Sequence, residues 1–474
     1  MLHKGQGIIL GEGVSFPLVS PWRNGLIEMQ HYPLRGQGQL KNCLFSTLSV
    51  CENCSSRSAT GSIGPPDGHD ETHWQQADIG VWSIESAGIS PTGREMSWEP
   101  DTERRICAIL VSETGSWEAG ADPAEISRFL GFCYRHAVLP LVAEALFQRS
   151  DCAAWPQEIE ASCRKLAYVQ TVHELAHCAE IQSALDALDG AGIRALLLKG
   201  TGLAYGVYAS PELRPRSDTD LLVRSEREGT AGQVALGELG YRRIGGPAGG
   251  GVGYQVELRR DVPGRTSFYM DLHWRINNYQ FLAGLLDFDE LLARSVPVPA
   301  LGPHAARLGN ADALILALIH RAGNNRHQGP GAGDKLIWLY DMYLLVKTMS
   351  DDELDRFCTL IEAKRIVAIA LDGLRRCADY FGSARMTSLI CTLESSPVAA
   401  SGAEWLRARG VRFEWLEVRA LPATAARLAY LGRRLIPNAD YMRERYPDAA
   451  RRSLPVLYAL RLVEGLGRLI PMRR

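Results

Sequence analysis

The spacing of apolar residues changes character several times along the chain. Up to about Glu95 no sustained period of 3.6 or 2.0 appears, and Gly, Ser, Pro and polar residues mix freely, as in Gly61-Ser62-Ile63-Gly64-Pro65-Pro66-Asp67-Gly68. Helical patterning starts just after Met96, which points to Met96 as the true start of the folded protein and to 1–95 as a disordered tail or an extension ahead of it. Ile126, Phe129, Leu130, Phe132 and Cys133 then recur at helix spacing, and residues 139–146 continue the pattern. A long helix is expected over 158–188, with Leu166, Val169, Val172, Leu175, Ala176 and Ala179 on one stripe. Asp189-Gly190-Ala191-Gly192 reads as its cap and turn.

An α/β segment follows. Residues 193–198 read as a buried strand, and Lys199-Gly200-Thr201-Gly202 as a tight turn into a short helix over 203–208. A second strand is expected at 221–223, introduced by Asp218-Thr219-Asp220, then a helix over 227–239 ended by Gly240. Residues 241–244, 254–259 and 266–274 alternate as strands do, with Phe268, Met270 and Leu272 on one face of the last and Tyr269, Asp271 and His273 on the other. Residues 245–253 are too rich in glycine for an element interior. Beyond Leu301 the pattern is helical again, at 311–322, 335–349, 352–380 and in several basic helices from Glu404 onward. No internal repeat is present. The expected organisation is a tail over 1–95, a helical subdomain over 96–190, a catalytic core over 191–300 and a helical domain over 301–474.

Composition narrows the field. The chain has 474 residues, 46% hydrophobic and 22% charged, with a net charge of -2. That apolar content excludes disorder throughout, and the near-neutral balance excludes a surface that coats nucleic acid everywhere. No apolar run approaches the roughly 20 residues of a spanning helix, and residues 1–14 lack the apolar stretch of a secretory signal. The 11 cysteines are scattered rather than set out as a disulfide framework, so reduced thiols and a cytoplasmic location are expected. Cys51 and Cys54 form a CxxC near Cys43, but a structural zinc site needs a second ligand pair, and none follows at useful spacing.

Candidate chemistry concentrates at Asp218-x-Asp220. Residues i and i+2 of a strand project to one face about 6.6 Å apart, a spacing at which two carboxylates can share a divalent cation or a pair of them. Magnesium favours oxygen ligands and completes its shell with substrate phosphates, so a third carboxylate is expected nearby. Asp271, mid-strand within an apolar alternation, is the candidate, since an unpaired charge there would be costly. Gly200-Thr201 directly follows a strand and opens a helix, where free N–H groups and an absent Cβ favour an approaching phosphate.

Leu198-Lys199-Gly200-Thr201, Arg216-Ser217-Asp218-Thr219-Asp220-Leu221-Leu222-Val223 and Asp271-Leu272-His273-Trp274 together resemble the uncharacterised nucleotidyltransferase family of the polymerase β-like superfold. Looser likeness extends to Leu318-Ile319-His320, Trp338-Leu339-Tyr340-Asp341 and residues 441–446, so it covers about 96 to the C-terminus. The resemblance implies an α+β fold: a nucleotidyltransferase core with a small mixed sheet, flanked by N-terminal helices and a C-terminal helical domain. It implies Asp218, Asp220 and Asp271 as catalytic metal ligands for two magnesium ions, with manganese as the alternative. The expected reaction moves a nucleoside monophosphate from an NTP, ATP first among them, to an acceptor hydroxyl with release of pyrophosphate. Lys199, Gly200, Thr201 and Arg216 are the expected nucleotide-binding residues. The superfold's usual Gly-Gly or Gly-Ser is here Gly200-Thr201, and it stands further from the carboxylate pair.

Plainer readings stand beside these. Lys199 also reads as a solvated strand-end lysine, Arg216 as a partner orienting Asp218 or Asp220, and His273 and Trp274 as packing. His320 and Asp341 lie among apolar helical neighbours, where satisfied buried polar groups are commoner than ligands. His173-Glu174-Leu175-Ala176-His177 is a literal HExxH, so a zinc peptidase is one alternative reading. Glu180 and Ser183 occupy the positions where an extended zinc motif needs Gly and His. A catalytically inactive scaffold of the same fold is the other alternative. The Arg-rich C-terminal third suits an RNA end, an acidic acceptor or an anionic lipid surface, or is an ordinary solvated face.

Overall fold

The structure, a computed structural model, describes residues 8–10, 14–16, 100–111, 122–148, 155–244, 253–262, 267–328, 334–437, 439–446 and 452–469. The chain divides into two compact units, Met1–Trp74 and Gln75–Arg474. In the first, strands β1 (Ile8–Leu10) and β2 (Val14–Phe16) pair as an antiparallel hairpin. The CxxC of Cys51 and Cys54, with Cys43, lies outside the described residues, as does the expected start at Met96.

In the second unit, α1 (Pro100–Leu110), α2 (Pro123–Arg135), α3 (Leu139–Phe147) and the long α4 (Gln157–Gly190) precede the sheet. Asp122 caps α2 by accepting from the Ala124 N–H at 3.1 Å, with Pro123 in the first turn. No single described helix is long and apolar enough to cross a membrane. Helices α2 and α3 pass that test only as a pair bent by 116°, and their Phe129, Leu139 and Val142 are buried in the core.

Seven strands form one mixed sheet in the order β5-β6-β7-β4-β3-β9-β8. They are β3 (Leu196–Leu197), β4 (Asp218–Leu222), β5 (Arg242–Ile244), β6 (Gln255–Arg260), β7 (Phe268–His273), β8 (Val296–Pro297) and β9 (Ala306–Arg307). The pairs β4·β7 and β3·β9 are parallel and the rest antiparallel. Helices α5 (Lys199–Ala204) and α6 (Glu226–Glu238) connect strands, and α7 (Gln280–Ala283) and α8 (Phe288–Ala293) follow β7. The remainder is helical: α9 (Asn310–Gln328), α10 (Leu336–Thr348), α11 (Asp351–Ala363), α12 (Val367–Phe381), α13 (Ala384–Glu394), α14 (Ala403–Arg407), α15 (Gly410–Ala420), α16 (Thr424–Leu435), α17 (Ala439–Arg445) and α18 (Leu454–Leu469). The architecture is thus α+β, with a mixed sheet set among helices.

Alternation along the strands divides the core in two. Leu197, Leu221, Met270 and Leu272 point to one side and pack with Ile181, Leu185 and Leu188 of α4 and Leu236 of α6. Leu196, Leu198 and Leu222 point to the other and join the larger core built on α2, α3, α9, α10 and α12. A fully buried leucine of this kind stabilises the fold by roughly 1.5–3 kcal/mol relative to exposure. The acidic positions share the second side, at the edge of that larger core.

Three local expectations change. Helix α5 begins on Lys199 rather than at 203, because Gly202 lets the helix lie on the preceding strand: a Cβ there would sit 2.8 Å from the Leu197 carbonyl oxygen. Asp218 and Asp220 are inside strand β4 rather than ahead of it. The single helix expected over 352–380 is two, α11 and α12, broken at Arg365 (φ 56°). The Arg365 N–H donates to the Glu362 carbonyl and the Ile366 N–H to the Ile361 carbonyl, a cap usually built on glycine.

Candidate active site

The site grows out of strand register. Asp218 and Asp220 lie two apart on β4 and share a face. Parallel pairing sets Asp220 beside Asp271 of β7, and antiparallel pairing sets Asp271 beside Glu257 of β6. Neighbouring strands thus carry acidic side chains side by side on one face. His273, two residues beyond Asp271, shares that face, and its Nε2 lies 2.8 Å from Asp220 Oδ1. Lys199 Nζ donates to the same oxygen at 2.6 Å. One ligand atom from each of Asp220, Asp271 and His273 falls within 4.8 Å of the others, the one such trio among the described residues.

Lys199 reaches Asp220 from a residue with φ 42°, a left-handed conformation that costs a residue bearing a Cβ roughly 1–2 kcal/mol. A part-buried, charge-assisted hydrogen bond offsets that cost.

Electrostatics separate the carboxylates. Burial works against ionisation of Asp220, but the Lys199 charge and the His273 hydrogen bond outweigh it and hold the carboxyl well below the usual range. Burial, then the Asp220 charge, pushes Asp218 up to about 6. Burial, then the charges of Asp218 and Asp220, pushes Asp271 well above the ordinary value. Burial, then the Lys199 charge, lowers His273, so a neutral imidazole donates its Nε2 proton to Asp220. Asp271 has one amide near it, Gln255 Nε2 at 3.4 Å from Oδ2, itself steadied by Asn278.

A pH dependence follows. Asp218 binds its proton more tightly in the folded chain (about 6) than in the unfolded one (3.8), so this group lowers stability as pH rises through that window. Acidifying metal-free protein from pH ~7 to ~5 should raise its thermal midpoint relative to Asp218→Asn, and magnesium should bind more weakly below pH ~6. Thermal melts of both proteins across that range, with and without magnesium chloride, check this; parallel midpoint curves would refute it.

The other sequence-predicted residues fall in different places. A Cβ on Gly200 would sit 3.4 Å from Arg216 Cβ and 3.6 Å from Arg214 Nη1, so this glycine turn is seated between two arginines. Thr201 is 1% exposed, and its hydroxyl has no partner among the described residues. Arg216 is not bonded to the carboxylates: its Nη2 donates to Glu174 Oε1 at 2.7 Å, and its guanidinium lies 5.7 Å from the Tyr205 ring centre.

The HExxH helix carries that Glu174. Its carboxylate also accepts from the Tyr205 hydroxyl at 2.6 Å, so the group that would serve a peptidase as base is already bonded twice. His173 and His177 lie ring against ring, tilted by 38° with centres 4.2 Å apart. Burial, then the Arg216 charge, lowers His173 to about 4; burial, then His173 and Arg216, lowers His177 well below the ordinary value. A dication there would face a guanidinium, and no third ligand joins the pair among the described residues.

Sequence reasoning missed Arg214. Its Nε and Nη2 each donate to Asp341 at 2.8 Å, its Nη1 donates to the Pro215 carbonyl at 2.7 Å, and the Tyr208 hydroxyl donates to Asp341 at 2.6 Å. The available signal was Asp341 itself, a carboxylate among apolar helix residues that requires a cation. His320 stacks edge-on to Trp338 at 5.1 Å and accepts from the Asn324 amide at 3.0 Å, with burial, then the Lys199 charge, lowering it to about 3.

The family described as "Uncharacterised nucleotidyltransferase" matches residues 122–382, just over half of the chain. The chain belongs to this nucleotidyltransferase family. A comparison with curated proteins gives no match. The matched span holds α2 to α12, every strand of the large sheet, and both Arg214 and its partner Asp341.

Proposed function

We propose that the protein is a magnesium-dependent nucleotidyltransferase that moves a nucleoside monophosphate from an NTP, with ATP the first candidate, to an acceptor hydroxyl and releases pyrophosphate. One observation carries this reading: Asp220 and Asp271 stand in register on adjacent parallel strands, with the two-apart Asp218 on the same face.

The residues fit a divalent ion. Lys199 satisfies Asp220, whereas Asp218 and Asp271 keep a raised proton affinity that a cation would relieve. The donors are hard oxygens, as magnesium prefers, with manganese as the alternative. Asp218, Asp220 and Asp271 would hold the ions, which when bound neutralise the triphosphate and lower the pKa of the acceptor hydroxyl.

The side chains supply the rest. Lys199 fixes the orientation of Asp220 through one oxygen and brings the cationic charge nearest the carboxylates to where the β- and γ-phosphates would lie. His273 steadies the same oxygen from the opposite strand without adding charge. Gly200 packs its turn directly against Arg214 and Arg216. Asp271, whose carboxylate accepts a proton readily, receives the acceptor's hydroxyl proton as its oxygen attacks the α-phosphorus and the bond to pyrophosphate breaks. Thr201 and Arg216 act from further back, with Arg216 bracing the Gly200 turn through Glu174. A cytoplasmic enzyme accords with the free thiols of the described cysteines.

The four NTPs, each with magnesium, provide the test through thermal shift and pyrophosphate release. At least one should stabilise the protein and release pyrophosphate as water takes the place of the acceptor hydroxyl, and Lys199→Met should lower kcat/KM by about a hundredfold. No thermal shift and no pyrophosphate with any of the four would end this reading.

A further inference from the structure

Exposed large apolar side chains gather in one part of the chain. Of the 13 among the described residues, nine lie between 411 and 463. They fall on stripes: Val411 and Trp415 on α15, Leu428 and Leu431 on α16, Val456, Leu460 and Val463 on α18. Each of these helices already buries a different face, through Glu417, Tyr430 and Leu457 respectively. A second apolar stripe on a helix that has met its core is unexplained by folding.

Charge in the same segment is one-sided. Residues 401–474 hold fifteen arginines against seven acidic residues, while the preceding 400 carry a net -10. The carboxylates resolved there are already engaged. Glu404 pairs with Arg412, Glu414 with Arg434 and Glu464 with Arg445, and Glu417 accepts from Trp405 and the Gln280 N–H. Arg407, Arg419, Arg427 and Arg433 have no carboxylate within 4.0 Å among the described residues; Arg419 instead lies 5.0 Å over the exposed Trp415.

We infer that these helices dock the protein peripherally on an anionic lipid surface. Arginines beside branched aliphatic stripes and an interfacial tryptophan match what a charged headgroup layer over acyl chains would take. A nucleic acid would use the arginines and leave the leucines and valines unused. A second copy of the chain would bring two strongly basic faces together. The face is also tied to the catalytic sheet. Glu417 of α15 accepts from the Gln280 and Phe281 N–H groups of α7, and the Gln280 side chain accepts from Tyr254, the residue before β6.

Co-sedimentation of the full chain with phosphatidylcholine vesicles, with and without phosphatidylglycerol, tests this. Binding is expected with phosphatidylglycerol only, weakening as salt rises. Arg419→Glu and Arg433→Glu should each weaken it roughly fivefold or more, and Leu428→Glu with Val463→Glu should abolish it, each with an unchanged thermal midpoint because all four side chains are exposed. Equal behaviour with the two vesicle types would overturn the inference. So would RNA binding without vesicle binding, or a dimer in light scattering that Leu428→Glu dissolves.

Discussion

Replacing Asp271 by asparagine should cut magnesium-dependent turnover by roughly a thousandfold or more, yet leave the metal-free protein more resistant to heat. The two effects share one cause. Asp271 sits in register with Asp220 on one side and Glu257 on the other, and its ionised form is opposed by burial and by Asp218 and Asp220. Removing its charge relieves that repulsion, for a gain of a few degrees at most, since one kcal/mol moves the midpoint of a chain this size by only about 1 °C. On the proposed mechanism the same change removes an ion ligand and the acceptor for the hydroxyl proton, which together would contribute several kcal/mol to the transition state. Magnesium should then stabilise Asp271→Asn less than the parent. Pyrophosphate release and paired thermal melts read both halves. Loss of activity with a lowered midpoint would mean that Asp271 is structural, and full activity would remove it from the reaction.

What the sequence disclosed follows from the range of the forces involved. The extent of the long helix and the alternation over 266–274 were legible because apolar period is a local property, and α4 and β7 lie within a few residues of the expected positions. The expected stripe on α4 was not its buried face: Leu175 and Ala179 are exposed, and Glu174 and His177 are buried. Placing Asp218, Asp220 and Asp271 on one face required only strand parity and a neighbouring strand. The split between α11 and α12 was not legible, because Arg365 makes a left-handed cap with no glycine to announce it. Bonds spanning many residues were also hidden. Lys199 reaches across 21 residues to Asp220, and Arg216 turns back 42 residues to Glu174 rather than two forward to Asp218. A guanidinium next to a carboxylate in sequence is drawn to whichever carboxylate the fold buries with it. In the literal HExxH, likewise, spacing put two imidazoles on one face, but the packing of α4 against Tyr205 and Arg216 decided what Glu174 does.

The largest stability effect is expected at Asp341. Arg214 and Asp341 have side chains only 8% and 4% exposed, joined by two parallel hydrogen bonds of 2.8 Å. Asp341→Ala would strand a guanidinium in that environment, together with a Tyr208 hydroxyl that has lost its acceptor. Breaking one side of such a pair costs about 3–5 kcal/mol. Replacing both partners, as Arg214→Met with Asp341→Leu, should cost far less, because neither leaves a charge behind and the site is then filled by apolar volume. Urea unfolding of the two single variants and the double variant measures the coupling; single losses under about 1 kcal/mol would show that the pair is solvated after all. The double variant also separates stability from chemistry. Arg214 lowers the proton affinity of Asp218, so removing it should push that carboxyl further up and shift magnesium binding to higher pH even where the fold survives. A double variant that folds and binds magnesium with the parent's pH dependence would confine Arg214 to holding α10 against the turn ahead of β4.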